Sequence, residues 1–563
     1  MRRLPLTIIL ALLPVMAHSA TYTVSTQGSN DNPGTAQRPW RTIQKAASTA
    51  VAGDTVEIQA GTYGERVTFP NSGTASKPIT FTGVRGSGGS WETIVDGSQP
   101  TSGWVAAPEV GSGVWKATLG YAPQTMMSNG KTIWKINEDS MRGNPKWGGT
   151  GFSSLAQNAT AQVTTAFGKV VYWDGIEALF GNLGSTTYLR FRNGDNPATR
   201  NVRAAPDGAV FTINAKNNIM LKHFKVVGGR YGVRFAGGAQ NNTIDNSYLA
   251  NGIHRIWVDG AVNTTVSNNR MTMEGLGTEK FPPGDRDAVT YGRIVNRYQY
   301  DQNKFTVGRS DTNDASIMVT NGSGKTDNTI ITGNEISHGM LGIQISETTT
   351  NTMITNNTMH NFSDTGIYIY PDSASIYVSY NLFYDSDHHF RINSMDRELD
   401  VYIYANRFHE PWYNSEGGGG KHVHFSPDAA KSARARVWVY HNSFAGGGWA
   451  CDVGFEGGAL PNLPGVHILN NLISTNGLTS GPSPKGWEVT SNHFDKLWYS
   501  NTIPDFVLPA GHKARNSGVD LISRSLPGMT AAYYQDGRPD IGAIQGTSQS
   551  TVPPPTRLRA TTQ

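Results

Sequence analysis

The stretch His388–His389–Phe390–Arg391–Ile392–Asn393 carries several groups able to do chemistry. Alternation along a strand would aim His389, Arg391 and Asn393 to one side and Phe390 and Ile392 to the other. A guanidinium holds a carboxylate through two parallel hydrogen bonds, and an imidazole titrates near neutrality. An arginine among histidines can therefore bind an anion and move a proton. Similar groups recur on either side: Tyr368 and Tyr370 precede this stretch, and Lys421, His422 and His424 follow it.

A repeat must position these groups. Asn recurs before a short apolar run at 246, 269, 303, 334, 357, 381, 406, 442, 471 and 492, with shortest steps of 21 to 25 residues. Each step holds two or three short alternating strands, too small to bury anything alone, so successive units must stack. The pattern predicts an all-β parallel solenoid with one coil per step and the Asn side chains stacked at one turn. Aligning the apolar pairs of "GVRF", "RIWV", "AVTY", "SIMV", "GIQI", "GIYI", "HFRI", "HVHF" and "DVGF" gives an outward column of Arg234, Trp257, Thr290, Met318, Gln344, Tyr368, Arg391, His424 and Gly454. A second column holds Arg255, His389, His422 and Asp452, and a third Asp259, Tyr370, Asn393 and Glu456. At about 4.8 Å per coil, Tyr368, Arg391 and His424 fall within roughly 10 Å.

The rest of the chain fits this frame. Residues 1–19 join Arg2 and Arg3 to an apolar run and a small-residue exit, which reads as an export signal. Losing Arg2 and Arg3 takes the formal net charge from +4 to +2, too near neutral to argue for nucleic acid. No other apolar run reaches the roughly 18 residues of a membrane span. With Cys451 as the only cysteine there is no internal disulfide. "PWRTIQKAASTAV" places Ile43, Ala46, Ala47 and Ala50 at helical spacing, a capping helix for the first coils within 20–100. Residues 101–205, rich in Trp, break the rhythm as an inserted β-rich subdomain. The main solenoid spans 206–505, a C-terminal segment 506–545, and a Pro/Thr tail 546–563.

With "YTVSTQGSNDNPGTAQRPWRTIQKAASTAVAGDTVEIQAGTY" near the start, the Asn-bearing coils and "DGRPDIGAIQ" near the end, the sequence resembles the secreted right-handed parallel β-helix superfamily of pectate-lyase-like proteins. That resemblance implies an exported, monomeric protein acting on a polysaccharide. The superfamily holds lyases, hydrolases, epimerases and noncatalytic surface proteins, so the site must decide. The aspartate clusters of its calcium-dependent lyases do not recur in these coils, although loop carboxylates could hold calcium.

β-Elimination from a uronate needs a neutraliser for the carboxylate, a base for the proton beside it and an acid for the leaving oxygen. Arg391 as neutraliser, His389 or His424 as base and Tyr368 as acid form a complete set, with Lys421 as a reserve base. Arg255, Trp257, Gln344, Tyr370, Asn393, Lys421 and His422 would line the substrate's path. A C5-epimerase would use the same proton abstraction. Hydrolysis needs two carboxyl groups about 5 to 9.5 Å apart. In this register Asp259, Asp452 and Glu456 are too far apart, and loop acids such as Asp285, Asp287, Glu347, Asp385 and Asp387 would be required. His388, His389, His422 and His424 together could instead hold a transition metal.

Overall fold

The computed structural model describes residues 19–110, 112–136, 163–164, 170–171, 178–191, 193–272, 315–386, 388–393, 395–411, 420–427, 433–454, 462–498, 503–534 and 538–545. The export signal, the Pro/Thr tail, Thr290, Asn303, Glu456, Asp285, Asp287 and Asp387 lie outside them.

Each coil is three short strands, and each strand pairs in parallel with its counterpart one coil on. The first face runs through Ala209–Asn214, Tyr231–Ala236, His254–Asp259, Ala315–Thr320, 341–346, 365–370, His388–Asn393, Lys421–Ser426 and Trp449–Val453. The second includes Ile219–Lys222, Thr243–Asp245, Glu398–Tyr404 and Arg436–Tyr440, and the third Phe224–Val227, Tyr248–Ala250, Leu382–Tyr384 and Ser443–Ala445. In two coils the strand continues unbroken round the corners, over Glu335–Thr355 and Thr358–Ser379. This is a parallel β-helix. Ile256, Ile317, Ile343, Ile367, Phe390 and Val423 fill its interior from the first face, while Phe383, Phe408 and Phe444 stack from the third with ring centroids 4.8 Å apart.

The corner between the second and third faces is fixed by asparagine. Asn269, Asn334, Asn357, Asn381, Asn406, Asn442, Asn471 and Asn492 form a ladder: each Nδ2 and each backbone N–H donates to the Oδ1 of the next, at 2.9 to 3.1 Å. A second amide proton reaches back to a strand carbonyl, as in Asn381 Nδ2 to Ile354 O at 3.0 Å. The residue before each rung takes a left-handed backbone, for example Asn268, Asn356 and Asn470. Asn246 is one of these left-handed residues, not a rung. Ser247 stands in the ladder position, and its N–H donates to Asn269 Oδ1. Asn269 meets Asn334 directly and Trp257 pairs with Met318; the "AVTY" stretch lies outside the described residues.

Ile43–Thr49 is the one helix longer than a single turn among the described residues. Thr42 Oγ1 caps it by accepting from Lys45 N–H, and Ile43, Ala46 and Ala47 are buried against the first coils. Strands from 99 to 205 form a separate eight-stranded sheet, cored by Trp104, Met126, Phe180, Leu189 and Phe191. Beyond the last coil the chain folds back, and Leu521, Leu526, Met529 and Tyr533 pack on Tyr404, Tyr440 and Leu469.

Candidate active site

Along the first face Gln344, Tyr368, Arg391, His424 and Asp452 stand in one column, one residue per coil. Val423 pairs with Cys451 and Phe425 with Val453, so Asp452, and not Gly454, continues the column. The error of two residues came from taking Val453 and Phe455 as the inward pair. The inward residues are Cys451, which is buried, and Val453.

The alternation expected of His388–Asn393 fails at one position. Pairing of this strand with the next passes from His388↔Lys421 to Phe390↔Val423, with no bridge at His389. His389 and Phe390 both turn inward as the chain rounds the corner. His389 lies among Phe383 and Phe408, and His422 beside Phe408 and Phe444. The two imidazoles meet at Nδ1–Nδ1 3.0 Å, so one donates and one accepts. Burial holds both below the ordinary imidazole range, His422 at about 3. Neither His389 as base nor His422 as a substrate contact is sustained, because no solute reaches the interior. A four-histidine metal site is likewise divided by the wall, with His388 and His424 outside it.

Arg255 occupies the same column and is only 1% exposed, its guanidinium set against the carbonyls of Thr272 and His338. It is an internal corner brace and does not line the face. The other occupants are small: Gly232, Ser316, Gly342, Gly366 and Ala450. At Gly342 and Gly366 a Cβ would press on Phe362 and Phe383. That run of small residues, immediately before each apolar pair, is the sequence signal that marks the position as interior.

What remains outside is compact. Arg391 Nε donates to Asn393 Oδ1 at 3.1 Å and to Ser426 Oγ at 3.3 Å, and Asn393 Nδ2 donates to the Tyr368 hydroxyl at 2.6 Å. The guanidinium carbon lies 5.8 Å from the Tyr368 ring centre. Tyr370, 54% exposed, stacks beside Tyr368 at 6.2 Å. Gln344 is nearly buried and donates to Ser346 Oγ at 2.8 Å. Trp257 stands four coils upstream, half-buried, with Arg234 4.4 Å above its ring and Arg234 paired to Asp259 at 2.6 Å. It belongs to the same face but not to the Arg391 cluster.

Lys421 Nζ lies 3.1 Å from Asp452 Oδ2, and Ser480 donates twice to Asp452 Oδ1. His388 sits 4.9 Å from His424, ring to ring. Burial, helped by the neighbouring His388, Lys421 and Arg391, lowers His424 well below the usual histidine value, so it is neutral at pH 7. Burial raises Tyr368, with Asp364 adding to the shift, so its phenol keeps its proton. A neutral imidazole, a protonated phenol and a guanidinium thus occupy one column of this face on three successive coils, with His424 itself only 5% exposed.

The longest connections in the chain lead into or out of this face. Among the described strands from residue 222 to residue 493 the second-to-third corner never exceeds two residues, whereas the strands of the first face that begin at Ala209, Ala315 and Lys421 follow long intervals after Asp96, Thr272 and His409. Long intervals also follow the strands that end at Ser426 and Val453. In stacked-repeat proteins such extra chain collects beside the binding surface.

Residues 298–411 match the right handed beta helix region family. The chain is a right-handed parallel β-helix. Residues 26–143 of this β-helix also match a family of unknown function, DUF1565. Among curated proteins it is 50% identical over 58 residues to the uncharacterized protein YwoF of Bacillus subtilis. It is 35% identical over 91 residues to the pectate lyase PEL9 of Emericella nidulans. These matches take in 10% and 16% of the β-helix chain and span only 12% and 21% of those relatives. Among solved structures, XylC in complex with xylose aligns at TM-score 0.48 with 17% identity, over 84% of this chain and 74% of that one. Pectate lyase Pel9A aligns at 0.45 with 11% identity, over 94% and 96%.

Proposed function

We propose that the chain is an exported polysaccharide lyase that cleaves a uronate-containing polymer by β-elimination at the Tyr368–Arg391–His424 column. The observation that carries this reading is the outward alignment of these three groups on adjacent coils, in protonation states suited to their parts. The partial likeness to a pectate lyase supports the reaction class.

Arg391 would pair with the uronate carboxylate and stabilise the enolate that forms as the neighbouring proton leaves. Neutral His424, one coil on, would accept that proton. Tyr368, one coil back, would give its phenolic proton to the departing glycosidic oxygen, with Asn393 orienting the hydroxyl. Burial keeps His424 unprotonated, and the charges of His388, Lys421 and Arg391 beside it add to the effect. Tyr370 offers a ring for sugar stacking.

The test is incubation with a panel of acidic and neutral glycans. Growth of the ultraviolet absorbance of an unsaturated uronate, with chain shortening, is the expected result. New reducing ends without that absorbance would overturn elimination in favour of hydrolysis. Solvent deuterium incorporation without cleavage would indicate epimerisation, and saturable binding with neither would leave a carbohydrate-binding protein.

A further inference from the structure

Away from the first face, at the end of the last coil, His493, Asp495 and His512 bring one ligating atom each to within 4.8 Å of one another. Among the described residues no other three histidine, cysteine or acidic side chains do this. His493 belongs to the final strand of the third face, His493–Phe494, and Asp495 follows it directly. His512 arrives from the C-terminal segment that folds back over the coils, held in a turn by His512 N–H to Pro509 O at 3.1 Å and Arg515 N–H to His512 O at 3.0 Å.

We infer that this cluster is a binding site for a divalent transition metal of the zinc class, and that the ion fastens the C-terminal segment to the last coil. Asp495 Oδ2 lies 3.7 Å from His493 Nε2 and 3.1 Å from His512 Nε2. A tetrahedral ion with bonds of about 2.0 to 2.1 Å spaces its ligands about 3.3 Å apart, so these two separations bracket the requirement. Two imidazoles and one carboxylate form a donor set for zinc, nickel or copper. Calcium, which takes six to eight oxygens, is excluded by the same set. The partial exposure of all three residues leaves the remaining position to water.

Without metal, the Ala514 N–H donates to His512 Nδ1 at 3.2 Å, which puts the imidazole proton on Nε2, directed at Asp495. The metal takes the place of that proton. With the ring staying neutral, that proton moves to Nδ1 and none is lost from His512, so Nδ1 becomes a donor and turns away from the Ala514 amide, a change that a plain surface hydrogen bond would not give.

The test uses the untagged chain, stripped with a chelator, titrated calorimetrically with zinc and separately with calcium. One zinc per chain, no calcium binding and a melting midpoint that climbs with zinc concentration are expected. His512→Ala and His493→Ala, folded by circular dichroism, should each weaken zinc by at least about tenfold and remove the thermal effect. Absence of stoichiometric zinc binding would overturn the site. So would full zinc affinity in the folded His493→Ala and His512→Ala variants, which would assign the ion to other residues such as His388 and His424.

Discussion

Arg391 projects from the wall and contributes little packing, so its removal separates chemistry from folding. Arg391→Ala should lower kcat on an acidic polymer by about 100- to 1000-fold with the melting midpoint nearly unchanged, as measured by steady-state assay and calorimetry side by side. A folded variant with native turnover would exclude this site. His424 carries a second expectation with a definite sign. Because its imidazole is held below the ordinary value, the base form persists into acid. The acid limb of kcat/KM should therefore fall below about 6.5. Lys421→Met should move that limb upward by removing a neighbouring cation. The register of Tyr368, Arg391 and His424 could be read from sequence because apolar pairs flank each of them. The inward turn of His389, His422 and Arg255 could not be read from alternation, which fails where a strand bends into a corner. The small residues in that column held the missing information.

At the scale of the element, the asparagine ladder was legible as a repeat. Its rungs were legible only where Asn and not its left-handed neighbour sits on the corner, hence the shift from Asn246 to Ser247. Asn381→Leu would leave the Asn357 backbone N–H, the Ile354 carbonyl and one acceptor position of Asn406 without partners. At about 1–3 kcal/mol for each buried group left unpaired, a loss of several kcal/mol is expected. Thermal melting together with hydrogen exchange in the flanking coils should show it. An unchanged midpoint would mean that water replaces the amide. Trp257 pairs directly with Met318, so the two strands are neighbours despite the 60 residues between them.

Across the whole molecule, histidines locked in apolar surroundings make the fold sensitive to acid. Burial lowers His422 and His441 to about 3 and His254 to about 4. The unfolded chain binds protons at these residues near 6.5, and the folded chain does not until well below. Their contribution is therefore complete above about pH 6.5 and is lost progressively as pH falls toward about 3. The melting midpoint should drop steeply over that interval, and His441→Gln should make the slope shallower. A midpoint flat from pH 7 to 4 would contradict the buried, neutral assignment.

The short second-to-third corner also separates two kinds of change that most folds couple. Where the ladder clamps each coil, the chain that wanders out at the opposite corner returns to the same rung whatever its length, as Asn269 and Asn334 do across an interval of 65 residues. Closing a longer loop costs only about 0.6 kcal/mol per doubling. The architecture is thus a rack with interchangeable fittings. The interval between Asn269 and Asn334 could be lengthened or shortened with no coil slipping its register.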